Sequence, residues 1–124
     1  MRNTEFVESI KKYVRDTALS DTIEFIENLP GRKPRKRHVE LSNWYNSLSG
    51  EDKQKIGEIM AEAVDSSLFG FLCVLDGART IEKSDKKTTF ELYAVKGGGS
   101  TRVNSEEEQP LHDIYNALTN SVDQ

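Results

Sequence analysis

The sequence predicts an α+β domain: N-terminal helices around a long central buried helix, a small antiparallel β-meander, and a C-terminal helix. Three observations predict it. Over residues 49–77 apolar residues recur at helical spacing and then occupy every face. After Gly77 the period drops to two, with turn residues between short runs. Past Pro110 the helical period returns. A chain of 124 residues fits one domain over 1–124.

Residues 3–17 read as a first helix, with Phe6, Ile10, Tyr13, Val14 and Thr17 near one face and Glu5, Glu8, Lys11, Lys12 and Arg15 on the other. Ser20 or Asp21 can cap a second helix that turns Ile23, Ile26 and Leu29 inward and ends at Pro30-Gly31. The two are expected to form a hairpin against the long helix. Residues 30–38, PGRKPRKRH, hold two prolines and five basic side chains, so they read as an exposed basic loop. Glu40 to Leu48 is a short helix with Leu41, Trp44, Tyr45 and Leu48 at helical spacing, and Trp44 and Tyr45 are expected in the core.

The long helix opens on Ser49 as N-cap, with Asp52 three places on and Glu51 also in the first turn. Ile56, Ile59, Met60, Ala63 and Val64 follow the helical period. Leu68 to Leu75 leaves almost no polar face, which predicts burial on all sides. A buried strand over Phe69 to Leu75 is the rival reading. Only Gly70 interrupts the run, which favours helix. Gly77 supplies the stop.

Arg79 to Lys83 can then form a strand, Ser84 to Lys87 a turn, and Thr88 to Val95 a second strand with Phe90, Leu92 and Ala94 inward. Gly97 to Ser100 is a turn and Thr101 to Asn104 a third strand, giving a three-stranded meander. Ser105 to Gln109 is an exposed acidic loop. Pro110 suits the first turn of a helix whose Leu111, Ile114, Tyr115 and Leu118 share a face, and 119–124 should fray.

The motifs SLSGEDKQKI, FGFLCVLDG, FELYAVKGG and LHDIYNAL resemble a family of small uncharacterised bacterial proteins, over roughly residues 40–118. The resemblance implies that the domain is a real unit. It implies no activity and carries over no functional residue.

The composition narrows the function classes. One cysteine excludes an internal disulfide and fits a reducing compartment. With neither a signal-peptide pattern nor a membrane-length apolar run, a cytoplasmic setting with no membrane partner is expected. Cys73 with His38 and His112 is too few for a standard zinc site, and Asp65, Asp76, Asp85 and the 106–108 acids lack calcium-loop spacing. Neither a metal nor a cofactor is expected. Lys96 to Thr101 superficially resembles a phosphate loop, but its lysine precedes the glycines and no helix pattern follows, so a hairpin turn fits better. Cys73, His112 and Asp113 are the residue types of a thiol nucleophile with a base. The apolar neighbours of Cys73 predict a buried, inert thiol, and adjacent helical positions diverge too far for Asp113 to orient His112.

Two binding readings remain. The net charge of −4 includes five basic side chains between Arg32 and Arg37, which leaves −9 on the rest of the chain. The first is a non-catalytic domain that binds a protein partner through Glu91, Tyr93, Glu106, Glu107 and Glu108. Its most concrete form is an immunity or antitoxin protein occluding a basic nuclease toxin. The alternative is a nucleic-acid-binding regulator that uses Arg32, Lys33, Arg35, Lys36 and Arg37 on phosphates, with Trp44 and Tyr45 stacking on bases. The acidic body works against that alternative.

Overall fold

The computed structural model describes residues 1–120. Its elements run α1 (Asn3–Ile10), a π-helical turn (Lys11–Asp16), α2 (Thr17–Glu27), α3 (Lys36–Ser47), α4 (Gly50–Leu75), strands β1 (Tyr93–Lys96) and β2 (Gly99–Arg102), and α5 (Leu111–Asn120). The architecture is α+β, predominantly helical with one two-stranded antiparallel sheet.

Both ends of α4 follow from the sequence. The Ser49 side chain accepts the Asp52 amide at 3.1 Å, and Glu51 and Asp52 stand in the first turn. At the other end Gly77 has φ 78°, its amide donates to the Val74 carbonyl at 3.1 Å, and the Ala78 amide donates to the Cys73 carbonyl at 2.8 Å. That pair of bonds is a Schellman stop. Phe69 to Leu75 is helical, which removes the strand alternative. Burial on all sides does not hold: Leu72 and Cys73 are buried, whereas Phe71 is 60% exposed. Helices α1 and α5 and one small hairpin are too little material to surround the rod.

The N-terminal hairpin does not form. The chain stays helical from Asn3 to Glu27, with the π-turn in place of a loop and Ser20 and Asp21 inside α2. A π-turn closes i→i+5 rather than i→i+4, so it shifts the helical phase. Tyr13 (66% exposed) and Val14 therefore leave the buried face on which regular spacing put them, and Val7 becomes the deepest residue of α1. The basic loop is also shorter than expected. Arg32, Lys33 and Arg35 lie in it, while Lys36, Arg37 and His38 open α3. Tyr45 is buried as expected. Trp44 is not, at 55% exposed, because the depression it borders between α2, α3 and α4 is open.

The hairpin pairs Tyr93 with Arg102 and Lys96 with Gly99. Its two-residue turn is Gly97-Gly98, both at positive φ (58° and 80°), the type I′ geometry that fits twisted strands. Gly99 and Ser100 belong to β2 rather than to the turn. Arg79 to Lys83 forms no strand. Asn104 takes the place of a third strand by binding the backbone with its side chain. Its Nδ2 donates to the Leu75 and Phe90 carbonyls, each at 2.7 Å, and its Oδ1 accepts the Leu92 amide at 2.8 Å. Residue 104 thereby ties the end of α4 to the segment entering β1.

The core is Val7, Leu72, Val103, Leu111, Ile114 and Tyr115, with Leu68, Phe69, Leu92 and Ala94 packed on it. It lies between α1, the second half of α4, α5 and the hairpin. Asn3 Nδ2 donates to the Gln109 carbonyl at 3.0 Å and pins the start of α1 to the turn before α5. That helix starts at Leu111, with the Ile114 amide on the Pro110 carbonyl at 3.2 Å, so Pro110 just precedes its first turn. Thr119 and Asn120 continue α5, and the remainder of the expected frayed tail lies outside the described residues. Helix α2 packs on α4 and α3 packs on α2, away from this core, with Tyr45 of α3 reaching Lys53 of α4. None of the eleven residues of α2 is buried.

Candidate functional site

Among the concave regions beside α4, one is polar and one apolar. The polar one lies beside the π-turn, between α4 and α5. It encloses about 340 Å³ and is bordered by Arg15, Glu58, Glu62, Asp65, Tyr115 and Asn116. At its base Arg15 grips Asp65 in a bidentate pair, Nε to Oδ1 and the second guanidinium nitrogen to Oδ2, both at 3.0 Å. Tyr115, fully buried as a residue, donates its hydroxyl to Asp65 Oδ1 at 2.7 Å. Arg15 also reaches Asp16 at 3.0 Å, and Lys11 reaches the other Asp16 oxygen at 3.2 Å.

The π-turn makes this possible by turning Arg15 toward α4. The Thr17 hydroxyl donates to the Lys12 carbonyl at 3.4 Å, five residues back, inside that widened turn. Burial works to raise the Asp65 carboxyl, but the hydrogen bonds from Arg15 and then Tyr115 outweigh it and hold the group below the usual carboxylate range. Burial, then the bond to Asp65, push the Tyr115 phenol up. With two oxygens serving three donors, the cluster is an internally satisfied staple of three helices. Sequence reading missed it, because Arg15 looked like a solvent-face charge, Asp65 was weighed only against calcium-loop spacing, and no spacing rule joins residues fifty apart.

The apolar region is a groove of about 170 Å³ between α2, α3 and α4. Ile23 and Ile26 supply one wall, Leu41 and Trp44 a second, Ile56 and Met60 a third, and Tyr45 lies at the base. Each pair sits three or four residues apart, the spacing that places side chains on one helical face. Lys53 Nζ stands 5.3 Å from the Tyr45 ring centroid. The spacing of Leu41, Trp44 and Tyr45 was visible in the sequence. The exposure of Trp44 was not, since periodicity identifies an apolar face without saying what covers it.

The expected acidic surface is partly consumed within the chain. Glu91 pairs with Arg102 at 3.4 Å, and Glu108 pairs with Arg2. Glu106 and Glu107 stay exposed in a turn whose amides bond back to Ser105. Tyr93 is half-exposed on β1. Among the described residues no hydrogen bond or ion pair joins the Glu91–Tyr93 segment to the 106–108 turn. The five basic residues are all exposed, with Lys36 4.0 Å from Glu40 in its own helix.

Cys73 is buried, at 6% exposed, and burial raises its thiol. His112 has a partner the sequence did not suggest. Asp76, at the end of α4, accepts the His112 backbone amide at 2.8 Å, and its Oδ2 lies 2.6 Å from His112 Nδ1. One carboxylate thus caps α5 and orients the ring, whose edge meets Phe69. Asp113 does reach the ring, contrary to expectation, through a longer 3.4 Å contact at Nε2. Among the described residues no group of three or more His, Cys, Asp or Glu side chains is placed to hold a metal ion, and no helix is long and apolar enough to cross a membrane.

In comparisons with known proteins, the chain matches no family model, no curated protein and no solved structure. The family resemblance expected from the sequence motifs gains no support from these comparisons.

Proposed function

We propose that the chain is a non-catalytic protein-interaction domain whose docking site is the groove beside Trp44. The observation that carries this reading is a half-exposed tryptophan on the rim of an apolar depression. Tryptophan is among the residues that most often dominate binding energy, and a contiguous apolar patch rimmed by polar groups marks an interaction site. The polar region beside the π-turn supports the same conclusion, because its Arg15, Asp65 and Tyr115 groups are spent on one another.

An immunity or antitoxin protein facing a basic nuclease toxin is one form of this function. It would use Glu106 and Glu107, with Glu91, Tyr93 and Glu108 beside them. That surface is the weaker candidate, since Glu91 and Glu108 are already paired. The exposure of Arg32, Lys33, Arg35, Lys36 and Arg37 keeps a nucleic-acid-binding regulator as the second reading.

Co-purification from the native host with three variants separates these readings. Trp44→Ala is expected to abolish partner capture while leaving the melting temperature nearly unchanged, as befits a half-exposed side chain. If capture survives Trp44→Ala and fails in Glu106→Lys/Glu107→Lys, the site is the acidic face. If alanine at the five basic positions is what removes a salt-sensitive nucleic-acid partner, the second reading stands.

A further inference from the structure

The hairpin leaves one edge of β1 without a strand beside it. The two-residue turn at Gly97-Gly98 makes Lys96 and Gly99 a hydrogen-bonded pair. Bonded pairs then alternate along an antiparallel ladder, through Ala94 with Thr101 to Leu92 with Val103, where the Val103 amide donates to the Leu92 carbonyl at 2.7 Å. Tyr93 and Val95 fall between these pairs, so their amides and carbonyls point out of the hairpin. Among the described residues the sheet has no third strand, and no hydrogen bond reaches those groups. The Tyr93 and Val95 side chains share one face, 49% and 74% exposed, while Ala94 packs toward the core. Edge strands are ordinarily blunted by a charge, a proline or a bulge. Tyr93-Ala94-Val95 carries none of these.

From this edge we infer that the chain self-associates, β1 of one copy pairing antiparallel with β1 of a second about a two-fold axis at Ala94. Amides alternating with carbonyls along an open edge are met by another extended backbone rather than by a helix. The side chains single out a second copy as that backbone. Pairing centred on Ala94 sets Tyr93 of each copy opposite Val95 of the other, so an aromatic and a β-branched residue meet twice on the exposed face. Leu92 then falls opposite Lys96 and Glu91 opposite Gly97, so no charge faces a like charge. A centre at Val95 would draw Gly97, at positive φ, into the ladder opposite Tyr93, and a centre at Tyr93 would set Glu91 against Val95. The contact also closes on itself. The outer edges of the joined sheet belong to β2, whose outward groups are those of Ser100 and Arg102, so association stops at the dimer. This inference goes beyond the docking groove beside Trp44 and does not depend on it.

Sedimentation of the full chain over a range of concentrations is the first test, and it should show a monomer–dimer equilibrium. Val95→Pro removes the outward amide at 95 and no bond to β2, so it should abolish the dimer. Tyr93→Lys places a charge on the edge and should weaken the dimer by roughly tenfold or more; its half-exposed position keeps the fold intact should the proline variant not fold. The second test reads the register. Tyr93→Cys and Val95→Cys proteins are mixed under mild oxidation, since residues opposite each other in a bonded pair lie about 5.5 Å apart at Cα, within disulfide reach. The mixture should yield a cross-linked dimer of one copy of each, and either protein alone should not. A chain that stays monomeric up to about 1 mM overturns the inference. So does a dimer that survives Tyr93→Lys, or one that Trp44→Ala dissociates instead, which would place the contact at the groove. Cross-linking of either cysteine variant alone, and not of the mixture, overturns the pairing about Ala94.

Discussion

Asp65 accepts hydrogen bonds from Arg15 twice and from Tyr115 once, so its charge is worth more folded than unfolded. Its carboxyl is held below the usual range in the folded chain, and that of Asp16 likewise, where bonds from Arg15 and Lys11 outweigh burial. Such groups contribute stability that is fully present above their unfolded pKa, near 4, and is lost as pH falls through the lower folded value. Asp65→Asn should cost roughly 2–4 kcal/mol at neutral pH, since it leaves the Arg15 guanidinium only Asp16 as a charged partner, and the partial exposure of the pair keeps the loss below that of a fully buried one. It should also flatten the decline in stability below about pH 4. Denaturant unfolding of both proteins from pH 2 to 7 checks this, and curves that stay parallel below pH 4 would show that Asp65 does not drive the acid limb. Nothing local marks these residues in the sequence. Asn104 hid for the same reason: it looked like the last residue of a strand, and its three backbone partners come from segments twelve to twenty-nine residues away.

At the scale of the element, what the sequence made legible is what a few adjacent residues decide by themselves. The boundaries of α4 are such a case. Gly77 must adopt φ 78°, which an L side chain resists, whereas Gly57 sits in the interior of the same helix with open space where a Cβ would go. Gly77→Ala should therefore destabilise by roughly 1–2 kcal/mol, and Gly57→Ala should stabilise by up to about 1 kcal/mol. Opposite shifts in the denaturant midpoint at constant slope are expected, and equal shifts would mean that the stop at Gly77 does not hold the helix end. The π-turn shows the limit of such reading. Its residues, Lys11 to Asp16, have ordinary helix-forming character, and the widened turn goes together with Arg15 reaching Asp65. The start of α3 is similar. Lys36 and Arg37 oppose the helix dipole and no side chain caps the end, so contacts such as His38 edge-on to Phe25 accompany a helix that local rules would place later.

For the molecule as a whole, the two halves of α4 live in different surroundings. Its second half lies in the core with Val7, Leu111, Ile114 and Tyr115, while its first half meets α2, which buries nothing, and α3, which buries only Ser42 and Tyr45. The sequence predicted cover for both halves, the first by an N-terminal hairpin on its apolar stripe and the second on all sides. Only the assembled fold shows that one face has a cover and the other a groove. Local stability follows buried apolar contact, so the α2–α3 region should open at lower free energy than the core. Hydrogen exchange should show amides of α2 and α3 exchanging well before those of α5 and of residues 68–75. Binding of a partner at the groove should slow exchange in α2, α3 and the first half of α4, and leave α5 unchanged. Equal protection of α2 and α5 in the free chain would mean that the α2–α3 face is already as well covered as the core, and a docking groove there would have no energetic reason to be filled.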